Sequence, residues 1–380
     1  MRPYLHTFGL ILSVLITSSS AWSQRLKSPE VNADGSITFR TDQPAAETIE
    51  IQFNRVPDDK STVTLTKDEN GKWLGTSRPL APGIYEYKMI VDGTAQLDIR
   101  NRWIKKWYTL ENLVEVPGDP SLVTERQSVD HGVLHHHYYQ SAITNSQRQV
   151  IVYTPPSYAS HPDKRYPVLF LLHGFGDDQT AWTEVGRANL IADNLIHGGT
   201  TKEMIIVMPH GHPVPLPHGT QSKQARDDYG KDNNLAMRRD LIEVLLPWVR
   251  SNYRTLDTID NRAIAGLSMG GGHSIRTALA SNEFAYVGAY SAAAPQDETL
   301  DDLATDLDRF KMELKHFWIA CGDEDFLLER NQAFVKQLKA ASIPHVYLET
   351  QGAHNWDVWR DDYLPRFLPM LFQDSAASER

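Results

Sequence analysis

The sequence predicts two units, a β-sandwich followed by an α/β unit built on a mostly parallel sheet with helices on both faces. Three observations carry that reading. Residues 27–116 alternate polar and apolar side chains in short runs, punctuated by Asp34-Gly35, Asn70-Gly71 and Asp92-Gly93, pairs that turn the chain where positive φ is cheap. From residue 129 to residue 373, continuous apolar runs alternate with helical stretches. Between the two, Pro117-Gly118-Asp119-Pro120 opens a linker that runs to residue 128.

Composition agrees. A chain of 380 residues has room for two such units at roughly 100–200 residues each. Hydrophobic residues make up 41% and charged residues 23%, which sets disorder aside as the main state. Acidic residues number 48 against 38 Lys and Arg, for a net charge of -10, and no basic cluster interrupts them, so nucleic acid is not expected as a partner. The one cysteine, Cys321, rules out an internal disulfide and a Cys-based zinc site, and reads as a small buried residue.

In chain order, residues 1–23 read as a secretory signal peptide. Arg2 supplies a positive start, and residues 8–17 (FGLILSVLIT) form an apolar stretch too short to span a bilayer. Small residues then lead to a cut after Ser23. A secreted or periplasmic protein with no membrane attachment in the mature form is expected; oligomeric state is open.

The sandwich strands come next, at 37–39, 49–53 and 63–66. In one long strand Tyr85, Tyr87, Met89 and Val91 alternate with Glu86, Lys88 and Ile90. Tyr85 and Tyr87 read as core. Trp103 and Trp107, close to the linker, either stack on a sugar or dock against the second unit. With Leu80-Ala81-Pro82-Gly83-Ile84-Tyr85-Glu86-Tyr87 and Val91-Asp92-Gly93, this segment resembles the early-set, immunoglobulin-like modules of glycan-acting enzymes, in particular carbohydrate-binding module family 48. The module is expected to support the cleft more than to bind glycan itself.

In the second unit the buried strands are expected at 167–172, 204–208, 262–265, 316–320 and 345–348, with helices at 240–252 and 328–341. Gly266-Leu267-Ser268-Met269-Gly270 lies between a strand and a helix, the context of a nucleophile elbow, where glycines remove Cβ atoms that would clash in a tight turn. A serine hydroxyl needs a base, and the order in this kind of unit is Ser, acid, His. His354 is the histidine after the last strand. The acid should follow the preceding strand, which points to Asp325 with Asp323 as competitor and a helix N-cap as the plain alternative for Asp325. His173-Gly174-Phe175-Gly176 follows the strand ending at Leu172, so the backbone N–H groups of Phe175 and Met269 are the expected oxyanion donors.

His210, His212 and His218 fall in a Pro-rich loop, 209–219, at the C-terminal edge of the sheet and read as pocket rim. His135-His136-His137 alternates faces of a strand and offers no metal set. Neither a metal nor an organic cofactor is expected.

Residues 147–372 resemble the esterase D-like branch of the α/β-hydrolases, and within it carbohydrate esterase family 1, the feruloyl and acetylxylan esterases. The matching residues are Leu171-Leu172-His173-Gly174-Phe175-Gly176 with Trp182, then Gly186-Arg187-Ala188-Asn189 with Ile191-Ala192-Asp193-Asn194. The elbow from Arg262 to Gly272, Ala320-Cys321-Gly322 with Asp325, and Gly352-Ala353-His354-Asn355 complete them. The resemblance implies an α/β-hydrolase fold and favours Asp325, which stands in a Gly-x-x-Asp turn. The candidates for the substrate pocket are His173, Trp182, His210, His212 and Trp356. The resemblance also implies a serine esterase removing feruloyl or acetyl groups from plant cell-wall polysaccharide or oligosaccharide, such as xylan, through an acyl-enzyme. A long loop at 209–231 departs from compact members. The same branch holds siderophore (enterochelin-type) esterases, and Arg187, Lys223 and Arg226 keep that reading open. A glycan-binding protein with an inactive hydrolase domain is the alternative from another class, opposed by the intact Ser268, Asp325 and His354.

Overall fold

The computed structural model describes residues 27–216 and 222–373; the expected signal peptide and His218 lie outside them. Within the described residues the front segment forms two antiparallel sheets. One runs Glu30–Val31, Ile37–Asp42, Lys72–Thr76, Thr66–Lys67. The other runs Thr62–Thr64, Ile49–Phe53, Gly83–Val91, Leu110–Val116, Ile104–Lys106, with Thr94–Gln96 beside Gly83–Val91. Because side chains alternate faces along a strand, Ile37, Phe39, Ile49, Ile51, Phe53, Tyr87 and Met89 all reach one shared core. Phe39 meets Phe53 and Tyr87 edge-on at 5.8 and 5.1 Å. Tyr87 is fully buried there and donates to Asp98 at 2.9 Å. Tyr85 packs edge-on against Phe53 at 6.3 Å.

The other face of Gly83–Val91 departs from the alternation read in the sequence. Ile84 and Glu86 are buried because this face lies against the second unit, where Ile84 and Leu113 join the same apolar cluster as Trp182 and Trp356. Burial pushes the Glu86 carboxyl up, but Arg55 at 2.7 Å and Lys105 at 2.9 Å outweigh it and hold it at about 2. Trp103 donates its indole N–H to the Glu184 carbonyl at 3.0 Å, and the Arg187 guanidinium lies over its ring at 4.0 Å.

The second unit carries an eight-stranded sheet: β1 (Val133–Ser141), β2 (Ser146–Thr154), β3 (Val168–Leu172), β4 (Ile205–Pro209), β5 (Arg262–Leu267), β6 (Tyr286–Tyr290), β7 (His316–Gly322) and β8 (Val346–Thr350). Its order is β1-β2-β4-β3-β5-β6-β7-β8. Strand β2 runs antiparallel to both of its neighbours, β1 and β4, and the strands β4, β3, β5, β6, β7 and β8 are parallel. The apolar run of β3 divides between two layers: Val168, Phe170 and Leu172 face one core, Leu169 and Leu171 the other. From β3 the chain goes to β4 on one side and then crosses to β5 on the other. A crevice opens at the C-terminal ends of strands where the winding reverses in this way.

Helices α1 (Ala188–His197), α2 (Lys223–Arg239), α3 (Met269–Ser281) and α4 (Leu328–Ala340) join these strands or cover them. Strand β2 and helix α1 were not read in the sequence, and two further elements differ from it. The segment read as loop to residue 231 becomes α2 from residue 223. Ser222 caps it by accepting the Ala225 N–H, and it continues through a π turn into Leu246–Asn252. Only Asn233 and Met237 are buried along α2, so it shows no apolar stripe to read. Strand β6 was missed because Tyr286–Tyr290 is short and carries Gly288, against which Phe367 packs too closely for a Cβ. Among the described residues no helix is long and apolar enough to cross a membrane.

Candidate active site

Ser268 sits alone between the end of β5 and the start of α3, with φ +52 and ψ −116. A side chain in that region costs about 1–3 kcal/mol and persists only when surroundings over-determine it. Here they do. The Ser268 N–H donates to the Tyr290 carbonyl at 2.8 Å, and its carbonyl accepts from Gly272 at 3.1 Å and Ala293 at 2.8 Å. The flanking glycines are required by contact. A Cβ on Gly266 would stand 2.6 Å from the Gly270 carbonyl carbon, and one on Gly270 2.4 Å from the Leu172 carbonyl oxygen.

The His354 Nε2 lies 3.0 Å from Ser268 Oγ. Its Nδ1 lies 2.9 and 3.0 Å from the two oxygens of Asp325. These distances let the serine donate to the ring while the ring donates to the carboxylate. Asp325 is buried on the loop after β7. Burial pushes its carboxyl up, but hydrogen bonds from His354 and Ser291, the His354 charge and the Leu327 N–H outweigh it and hold the group below its ordinary value. Asp323, the competitor, lies elsewhere in the network: it accepts the Gly352 N–H at 3.0 Å and pins the loop that carries His354.

Three partners were not read in the sequence. Trp359 meets the His354 ring edge-on at 4.8 Å and donates to Ser291 Oγ at 2.9 Å, while the exposed ring of Phe326 lies 4.4 Å from His354 on another side. Phe326 follows Asp325 directly, which is the one local signal that could have found it.

The glycine loop after β3 is held by two buried histidines. His173 donates from Nδ1 to the Gly174 carbonyl at 2.8 Å and accepts the Gly211 N–H on Nε2 at 2.7 Å. His212 accepts the Gly176 N–H at 3.1 Å and donates to the Tyr229 hydroxyl at 2.5 Å. Each ring uses one nitrogen as donor and the other as acceptor, so both are neutral. Asp177, also buried, has its carboxyl pushed up by burial to about 8, so it adds no negative charge beside the loop at neutral pH.

The pocket candidates divide. His210 is partly exposed, with its ring 5.7 Å from that of His173 and 5.5 Å from that of His212. His173 and His212 brace the loop from behind instead of lining an open rim. Trp182 and Trp356 are 1% and 2% exposed, so the expectation that they line the pocket is corrected: they pack edge-on at 5.1 Å in the core, and Trp182 donates to the Leu172 carbonyl. His135 and His137 share a face of β1 and pair with Thr154 and Tyr253 hydroxyls. Cys321 is buried, its thiol pushed up to about 12 by burial.

These buried rings set an acid limit. Burial pushes His173 down to about 3 and His212 to about 2, and does the same to His273, a buried residue of α3, which it pushes to about 3. The unfolded chain takes a proton on each near pH 6.5, about the ordinary histidine value, while the fold does not. Stability is therefore whole above that pH and falls as pH drops below it, by roughly 1.4 kcal/mol per pH unit for each ring. Urea midpoints at pH 7.5, 6 and 5 should decline steeply. Asp177, held up at about 8, gains stability over the same range and offsets one ring of the three, so a flat profile between pH 7 and 5 would show that at least two of the rings are protonated in the fold.

The family model for esterases matches residues 141–369. The endo-1,4-beta-xylanase/feruloyl esterase of Xylanibacter ruminicola is 31% identical over 339 residues, covering 87% of this chain and 44% of that protein. An acetyl esterase of Caldicellulosiruptor saccharolyticus is 25% identical over 243 residues, covering 52% of this chain and 84% of that one. The chain spans less than half the length of the first curated relatives it matches. Among solved structures, a CE1 ferulic acid esterase from Anaeromyces mucronatus aligns with TM-score 0.54 at 26% identity, over 65% of this chain and 93% of that one. The enterochelin esterase of Shigella flexneri shares the fold across both units, with TM-score 0.62 at 18% identity over 95% of this chain and 99% of that one. The solved neighbours are esterases on an α/β-hydrolase scaffold. With its family model matched across more than half of its length, the chain belongs to the esterase family.

Proposed function

We propose that this protein is a serine carboxylic-ester hydrolase that removes feruloyl or acetyl groups from plant cell-wall polysaccharide such as xylan. The observation that carries the reading is the relay Ser268–His354–Asp325 at 3.0 and 2.9 Å, set on the strained elbow. Ser268 Oγ attacks the ester carbonyl while His354 takes its proton. Asp325 keeps Nδ1–H of the ring turned toward itself and balances the imidazolium. The backbone N–H groups of Phe175 and Met269 receive the charge on the carbonyl oxygen, the second from the first residue of α3. The protonated ring gives its proton to the leaving alcohol, and water repeats the sequence to free the acid. Early-set, immunoglobulin-like character for the front segment and export by the leader belong to the same reading.

The substrate class is supported by the activities of the relatives, a xylanase/feruloyl esterase and an acetyl esterase, and by the ferulic acid esterase neighbours. A siderophore ester is the second reading, favoured by the fold shared with enterochelin esterase across both units. Two of its supporting cations are engaged, however: Arg187 with Glu115 at 3.3 Å, and Lys223 with Asp227 at 2.7 Å. The test is a rate panel on methyl ferulate, acetylated xylan and a trilactone siderophore. One of the first two should exceed the trilactone by about 100-fold or more in kcat/KM, the scale at which a pocket rejects a poorly fitting group. Faster trilactone cleavage would overturn the substrate assignment and keep the mechanism.

A further inference from the structure

The glycine loop after β3 is held from outside its own unit. Trp107, from the front segment, donates its indole N–H to the Phe175 carbonyl at 2.8 Å. On the other side of the same peptide plane, the Gly176 N–H donates to His212 at 3.1 Å. Both polar atoms of the peptide joining Phe175 to Gly176 are therefore engaged, one by each unit. Gly176 has φ +85, and a Cβ there would stand 2.6 Å from Trp107 Nε1 and 2.9 Å from the Tyr108 ring. Glycine at 176 is what lets the tip at 107–108 close onto the loop backbone. The Tyr108 ring then lies 5.5 Å from Phe175, which lies 5.8 Å from Tyr229. Next along the contact, Lys106 approaches Asp178 at 3.9 Å, and Trp103 anchors on the Glu184 carbonyl.

We infer that Trp107 is a positioning residue for the oxyanion hole, so that the front segment takes part in turnover of every ester, small soluble ones included. The inference rests on the proposed role of the Phe175 N–H. A loop with glycines at 174 and 176 has little backbone preference of its own. Oxyanion donors act by being aimed before the charge develops, and complete loss of one costs about 10²–10³ in kcat. Tilting the neighbouring peptide mis-aims the donor without removing it, so the effect should be smaller, about 10-fold. Ground-state binding should hardly change, because an ester carbonyl carries less charge than the tetrahedral oxygen.

The test uses the full chain with Trp107→Phe, which keeps a ring and removes the donor; Trp107→Leu, which also lacks a donor, serves if that variant is unstable. On p-nitrophenyl acetate, kcat should fall about 10-fold with KM within about twofold. Affinity for an arylboronic acid, which forms a tetrahedral adduct on the nucleophile, should weaken by the same factor, with an unchanged melting temperature. Trp103→Phe is the control: it loses an interface bond remote from the loop and should leave boronate affinity intact. Unchanged kcat and boronate affinity in the Trp107 variant, a change confined to KM, or equal losses in both variants would each overturn the inference. An active Ser268→Ala protein, or a wild type that binds no boronate, would overturn the esterase reading instead.

Discussion

Ser268→Ala is expected to fold normally and to lose about 10⁵-fold or more in kcat, since removing the nucleophile of such a relay costs about as much as removing the whole of it. The fold should survive because Ser268 is held through its backbone, by bonds to Tyr290, Gly272 and Ala293, and alanine keeps all three. Its Oγ has the His354 ring as its hydrogen-bond partner, and that ring is only partly buried, so removal orphans no fully buried group. Relief of part of the strain is not expected, because alanine meets the same φ of +52. Circular dichroism and melting temperature check the fold, and turnover of p-nitrophenyl acetate checks the chemistry. Wild-type-like turnover by the folded variant would sink the mechanism and leave a protein that only binds its ligand.

Asp325→Asn should lower kcat about 10⁴-fold, because the amide can donate to Nδ1 and favours the tautomer that cannot accept the serine proton. The effect should fall on kcat with KM nearly unchanged, as substrate does not touch a carboxyl buried behind the ring. Asp323→Asn is the informative companion. Its carboxylate accepts the Gly352 N–H and holds the His354 loop, and an amide oxygen can do the same, so roughly a few-fold loss is expected. Parallel kinetics of the two variants decide the matter: a larger loss in Asp323→Asn would move the acid role to Asp323.

Much of this site was legible because its signals are local. The elbow needs Gly266, Ser268 and Gly270 within five residues, next to an apolar strand, and that context cannot be spread along the chain. Phe175 and His354 follow from their places after identifiable strands. The register of a parallel sheet then brings those strand ends to one edge. The choice between Asp323 and Asp325 was narrower. Two residues apart, they point to different partners, Gly352 and His354, and only the path of the turn separates them.

The sequence by itself determined the two units, most of the strands, the elbow and the chain order of its partners, because hydrophobic period and turn chemistry act over a few residues. Only the tertiary structure decided which faces meet. Glu86 sits on a polar-patterned face, yet it is buried because the second unit covers that face and Arg55 and Lys105 compensate its charge. Trp182 and Trp356 carry the aromatic surface a pocket would use, yet the packing of 181–197 against the C-terminal helical turns closes them into a core. Trp107 reaches a carbonyl 68 residues away, and Trp359 a hydroxyl 68 residues away in the opposite direction. Such contacts are not encoded in any window of sequence, since they arise only where independently formed elements are docked, and their energy depends on that docking alone.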